Sequence, residues 1–280
     1  WALDILREIA REEALHFPLA VIHAEQDRGY LKARLRQGRT RPLWPTPPLT
    51  EADIDRSSRI VGMMGHEPYV RALEQGARVV LAGRSSDTAI FATIPLMRGY
   101  PAAVVWHAAK ILECGAAAVA LRRSPDGMMA FIRGDHFVVE PPNEDLWCTP
   151  QSVASHTLYE NADPFLLHES SGTLDVSDAA YEAVSPRAVK VSRSRFLPAE
   201  AYSVKLEAVE AVGFQSVVVG AIRDPVIIGQ LDAWLEGVRL KARERIHAAF
   251  DGLEMDKDYA LSTRVYGLNG VMGALEPTKA

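Results

Sequence analysis

Apolar Leu3, Ile5, Leu6, Ile9, Ala10 and Ala14 recur at helical spacing, which predicts an amphipathic helix reaching about Leu15. Residues 19–22 (Leu-Ala-Val-Ile) are a short apolar run suited to a buried strand, and residues 25–37 return to a helix-like pattern. Pro42, Pro45, Pro47 and Pro48 then interrupt both periods, because proline cannot donate to a ladder or sit inside a helix. Thr50-Glu51-Ala52-Asp53 has the form of a capping box and predicts helix in pieces as far as Gln75.

Gly76 ends that stretch, and residues 78–82 (Arg-Val-Val-Leu-Ala) read as a buried strand leading straight into Gly83-Arg84-Ser85-Ser86-Asp87. A helix over residues 101–113, closed by Gly115, and a strand over 116–121 continue the alternation. Residues 128–132 and 136–139, joined by Arg133-Gly134-Asp135, predict an antiparallel hairpin. Further on, the pattern predicts a helix over 150–160 capped by Thr149, strands at 188–192 and 216–219, and a long helix over 224–250. Alternating strands and helices favour an α/β fold with a mostly parallel sheet and helical crossovers. The change of character after Leu121 predicts a second, mixed α+β lobe that contains the hairpin. The lobes are set at 1–122 and 123–280, with one continuous domain as the alternative.

Composition narrows the class without changing that outline. The chain has 280 residues, enough to bury a sizeable core without disulfides or a structural metal. Thirty-one basic residues face thirty-six acidic ones, a balance that argues against nucleic acid as a partner. No run of about 18 apolar residues is present, so a membrane-spanning helix is not expected. Cys114 and Cys148 are the two cysteines, which fits a reducing, cytoplasmic setting. The chain begins at Trp1 with neither an initiator Met nor a helix cap before it, and is expected to be a segment of a longer protein.

The best local site is Gly83-Arg84-Ser85-Ser86-Asp87-Thr88, because open α/β sheets bind ligands beyond the carboxyl ends of their strands. Small residues let backbone N–H groups approach an anion, the Arg84 guanidinium can clamp a carboxylate, and Asp87 can take a proton. The structural alternative is an Arg84–Asp87 pair, or Asp87 as a helix cap. A second cluster, Cys148-Thr149-Pro150 followed by His156-Thr157-Leu158-Tyr159-Glu160, places His156 and Glu160 four residues apart with Tyr159 beside them. A surface ion pair is the structural alternative there. Cys148, at a helix start, is the better thiol, whereas Cys114 reads as a small buried hydrophobe. The tract Arg28, Lys32, Arg34, Arg36, Arg39 and Arg41 suits either coenzyme A phosphates or a solvated face. No nucleotide-binding glycine fingerprint and no Gly-x-Ser-x-Gly elbow occurs.

Residues 76–89, which include Gly76-Ala77-Arg78 and Gly83-Arg84-Ser85-Ser86-Asp87, resemble a stretch of the acyclic terpene utilisation family. Trp106-His107 with Leu112-Glu113-Cys114-Gly115, and the segment from Cys148-Thr149-Pro150 through His156-Thr157-Leu158-Tyr159-Glu160-Asn161 to Pro164, are similar to two more of its motifs. The resemblance reaches from about Ile54 into the long helix after Asp224. It departs from the family in lacking a glycine-rich N-terminal stretch. What it implies is a cytoplasmic α/β protein of catabolic operons, in pathways that run through carboxylic acids and coenzyme A thioesters.

The expected function is therefore an enzyme acting on a small or branched organic acid or acyl-CoA thioester in a hydratase or lyase-type step. Asp87, His156 and Glu160 form its acid–base set, and Gly83, Arg84, Ser85, Ser86 and Tyr159 bind the substrate. The alternative is a non-catalytic acyl-binding or scaffold subunit. A small-molecule acid or thioester is the expected partner, with no membrane partner. A homo-oligomer is the base-rate expectation. The sequence assigns no metal ligand set and identifies no cofactor.

Overall fold

A computed structural model describes residues 1–121, 126–267, 272 and 275. The expected lobe boundary at 122–123 reaches into residues 122–125 and lies outside the described residues. The chain divides into two compact units, Trp1–Val212 and Gly213–Ala280.

The first unit opens with helix α1 (Ala2–Glu12), strand β1 (Leu19–Ile22) and helices α2 (Arg28–Arg36) and α3 (Glu51–Arg56). Thr50 caps α3 through the capping box read from the sequence, its hydroxyl accepting from Asp53 N–H while Asp53 accepts from Thr50 N–H. Strand β2 (Ser57–Met63), helix α4 (Glu67–Glu74) and strand β3 (Val79–Ala82) follow. Next come helices α5 (Asp87–Met97) and α6 (Ala102–Leu112), a short 3-10 turn over Gly115–Ala118, and the hairpin β4 (Met129–Ile132) and β5 (His136–Glu140). Helix α7 (Pro150–Thr157) precedes strands β6 (Leu166–Glu169), β7 (Gly172–Asp175), β8 (Ala180–Ala183), β9 (Val189–Ser192), β10 (Arg195–Pro198) and β11 (Lys205–Glu210).

The sheets correct the expected architecture. Among the described residues, β1 and β3 are the one parallel pair of named strands, with Leu19 opposite Val79 and Ile22 opposite Ala82. The other sheets, β4-β5-β9-β8, β10-β7-β6 and β11-β2, are antiparallel throughout. The fold is thus mixed α and β with small antiparallel sheets, not a mostly parallel sheet with crossovers. Strands β2, β6, β7, β10 and β11 are short and mix apolar with polar residues. The partners of β2, β10 and β11 lie far along the chain, and the β6–β7 hairpin is too short and too polar for a period to show, so local periodicity carried no signal of them. The segment 116–121, read as a strand, instead forms the 3-10 turn and one bridge, Val119 to Cys148.

Helix α6 organises the interior of this unit. Every residue from Val104 to Ile111 is buried, as expected of a helix that is apolar almost all round. One side of it packs Val104, Ala108 and Ile111 against Phe137, Val139, Val153, Val189 and Val191. Another packs Val105, Trp106 and Ala109 against Ala89, Ala92, Leu167 and Leu174. His107 is the polar residue at its centre, fully buried, with Nδ1 2.6 Å from the Ser194 hydroxyl and Nε2 3.3 Å from those of Thr157 and Tyr181. Desolvation pushes its pKa down to about 3, so it stays neutral and serves as a core hydrogen-bonding residue.

The second unit contains helices α8 (Pro225–Gly229) and α9 (Leu231–Ala249). Asp224 caps α8 by accepting from Val226 and Ile227 N–H. The expected single helix is broken at Gln230, whose φ of −129° leaves the helical region. The predicted strand at 216–219 forms no ladder, and Val217, Val218 and Val219 are exposed. Among the described residues no helix is long and apolar enough to cross a membrane.

Candidate functional site

The loop after β3 leaves the strand end at Gly83. A side chain there would meet Ala24, whose Cβ is 2.9 Å and backbone N 3.0 Å from the position of a Cβ, so only glycine fits. The loop also runs beside the end of β2: Met64 bridges Ser85 in parallel, Met64 N–H donates to Arg84 C=O and Ser86 N–H to Met64 C=O.

Each expected residue of this loop has a defined place. Arg84 forks onto Glu207 of β11, with Nε to Oε2 at 2.9 Å and Nη2 to Oε1 at 3.3 Å, and reaches Asp87 with Nη1 at 3.1 Å. Glu207, with Lys205 also 2.8 Å away, is held below its usual carboxylate range, chiefly by Arg84. Asp87 is the first residue of α5 and is mostly exposed. Ser85 is buried and shares a hydrogen bond with the Tyr69 hydroxyl at 2.8 Å.

Ser86 and Thr88, on either side of Asp87, both bind Glu169 at the end of β6. Ser86 Oγ lies 2.8 Å from Glu169 Oε2, Thr88 Oγ1 2.6 Å from Oε1, and the two hydroxyl oxygens 2.6 Å from each other. The Ser86 and Thr88 hydroxyls each donate to one oxygen of Glu169. Burial, the largest influence, pushes the Glu169 pKa up against the opposing pull of those hydroxyls. Desolvation thus favours the protonated form of this carboxyl.

Beside this ring of contacts stands Lys110, buried in α6 and 3.4 Å from Glu113 Oε2. Burial raises the Glu113 pKa, Lys110 opposes the shift, and the charges of Asp87 and Glu160 add to it. His156 is buried with Nε2 2.9 Å from Glu113 C=O, and its ring stacks on Tyr159 with centroids 5.8 Å apart. The Tyr159 ring lies 6.0 Å from Lys110 Nζ. A cleft of about 370 Å³ is lined by Ala117, Val119, Ser152, Ser155, His156, Leu158 and Tyr159.

His156 and Glu160 do not share a helix face. Helix α7 starts at the Thr149 capping box but ends at Thr157, and Glu160 adopts a left-handed φ of 55°. Glu160 still raises the Tyr159 hydroxyl pKa, to which it is hydrogen-bonded.

The two thiols reverse their expected characters. Cys148 is buried, and desolvation, with Glu140 adding, pushes its pKa up to about 11, which outweighs a position near the α7 N-terminus. Cys114 is exposed, with a left-handed φ of 51°. In the basic tract, Arg28 donates to the carbonyls of Ile54 and Ser57, Lys32 pairs with Asp55, and Arg36 with Glu51. Those three cations are already satisfied within the protein. Among the described residues no three His, Cys, Asp or Glu side chains are grouped to hold a metal ion.

Sequence reasoning placed Thr88 in the loop without a role and did not single out Glu169, Lys110 or Glu207. Two signals were present: a Ser170-Ser171-Gly172 turn between short runs, and Lys110 on a helix apolar but for it and His107. The family model described as "Acyclic terpene utilisation family protein AtuA" matches residues 2–119 and 130–264. No curated protein and no solved structure matches the chain. With most of its length matched, the chain belongs to the acyclic terpene utilisation family, and membership points to a part in acyclic terpene catabolism.

Proposed function

We propose that this member of the acyclic terpene utilisation family is an enzyme of acid–base chemistry. Its substrate is a small or branched organic acid or the acyl-CoA thioester of one, and its step is a hydration or the reverse elimination. The observation that supports this reading is the ring of contacts joining Glu169, Ser86 and Thr88. The Glu169 carboxyl, pushed toward its protonated form by burial, is bound by the two residues that flank the exposed Asp87 in sequence, and carboxyls with divergent environments are the usual basis for dividing acid and base roles.

In hydration, Asp87 takes a proton from water as the water oxygen bonds to one carbon of a C=C next to the carbonyl. The π bond breaks, and Glu169 gives its proton to the neighbouring carbon. Elimination runs the same transfers backwards. Arg84 keeps Asp87 in place through its 3.1 Å contact, while Gly83, Ser85 and Ser86 shape the loop. Tyr159, His156 and Glu160 join the site in this reading through Glu113, whose carbonyl holds His156 and whose carboxyl senses Glu160.

Turnover of branched enoyl thioesters and their hydrated forms tests this reading. Glu169→Gln and Asp87→Asn should each lower kcat by about a hundredfold or more, the usual contribution of a positioned acid or base. The melting temperature should stay within a few degrees. Full turnover in Glu169→Gln would remove Glu169 from the reaction.

A further inference from the structure

Lys110 is the buried cation that this mechanism leaves unused. Its residue is 6% exposed, on a helix whose neighbouring positions are all core. Burying an ammonium is costly unless strong partners replace water. Among the described residues its ion pair is with Glu113 alone, at 3.4 Å, longer than the roughly 2.7–2.9 Å of a good charge-assisted bond. Burial also drives Glu113 toward its neutral form, which weakens the pair further.

Arg84 is placed differently. Its Nε and both terminal nitrogens already engage Glu207 and Asp87, so an incoming anion there would have to displace existing ion pairs. The Tyr159 ring beside Lys110 also lines the 370 Å³ cleft, where Val119 and Leu158 offer apolar surface.

We propose that Lys110 is the anion-binding group of this site: its ammonium takes the carboxylate or thioester carbonyl oxygen of an acyl ligand in place of Glu113, and the ligand's short or branched chain lies along Tyr159 into the cleft. The assignment rests on the acyl-ligand reading above and moves the anion subsite from Arg84 to Lys110. Glu113 acts as an internal occupant that the ligand displaces.

Calorimetric titration with sodium isovalerate, with 3-methylbutan-1-ol as the uncharged isostere, tests it. The protein should bind isovalerate in preference to the alcohol. Lys110→Met should weaken isovalerate about tenfold or more, the loss expected for a hydrogen bond to a charged group. Lys110→Arg should retain part of the affinity. Glu113→Gln should tighten binding several-fold by removing the competing carboxylate, and it decides the matter if Lys110→Met does not fold. Arg84→Met should bind nearly as the parent does.

Loss of binding in Arg84→Met with none in Lys110→Met would overturn the assignment and leave the acyl-ligand reading standing. Unchanged affinity in Glu113→Gln would equally overturn it. Absence of isovalerate binding to the parent protein would sink both. Binding that follows Lys110, with no turnover of any thioester, would keep the anion subsite and remove the enzyme.

Discussion

Glu169 and Asp175 occupy the tip and the base of one hairpin, β6–β7, and meet opposite environments. Glu169 faces two hydroxyls at the start of α5, and burial holds its pKa above the ordinary range. Asp175 accepts from the hydroxyl and N–H of Ser177 and from Arg195, whose Nη2 is 2.8 Å away, and these push its pKa down to about 2. The backbone geometry around them is the same antiparallel ladder, with Glu169 opposite Gly172 and Leu166 opposite Asp175. Hydroxyls donate at both ends; what differs is burial, which outweighs them at Glu169, and the added backbone N–H and guanidinium at Asp175. The tip favours the protonated form, and the base anchors the hairpin through a negative charge.

The most disruptive way to break this contrast is to loosen the strand that joins the two ends. Leu174, 1% exposed, packs in the core between them. Leu174→Ala should cost about 2–5 kcal/mol, read from denaturant midpoints. It should also lose isovalerate binding in proportion to the fraction unfolded. A loss below about 0.5 kcal/mol would mean the hairpin is not held by that core.

A smaller and more selective effect is the pH dependence. The raised Glu169 pKa contributes stability that is full below the ordinary value of about 4.3 and is lost as pH rises through the folded value. The depressed Asp175 contributes stability that is present above about 3.9 and is lost as pH falls through about 2. Glu169→Gln should therefore flatten the alkaline side of the stability profile, and Asp175→Asn the acidic side. Urea midpoints measured across pH give both. A change on the same side for both variants would show that the two ends are not electrostatically distinct.

The smallest effect carries the same burial logic to the thiols. Iodoacetamide at mildly alkaline pH should label exposed Cys114 in the folded protein and spare Cys148, held up at about 11, until denaturant is added. Intact-mass and peptide mapping read the outcome. Equal labelling rates in the folded protein would place Cys148 at the surface.

The sequence by itself determined the local structure and the family. The capping boxes at Thr50 and Thr149, the apolar runs of β1 and β3, the α6 helix and the 128–139 hairpin all depend on residues a few positions apart. Physical signals of that range survive in a one-dimensional reading. The loop at residues 83–88 was legible for the same reason, and so were Tyr159 and His156 as neighbours. Tertiary structure decided the rest. Antiparallel pairing of β2 with β11 joins segments at opposite ends of the first unit. The partner of Arg84 is Glu207, and the carboxyl inside the Ser86–Thr88 ring is Glu169. Whether a carboxyl favours its protonated form, or a lysine is buried, depends on desolvation and on groups brought from distant strands. Neither is encoded in the spacing of neighbouring residues.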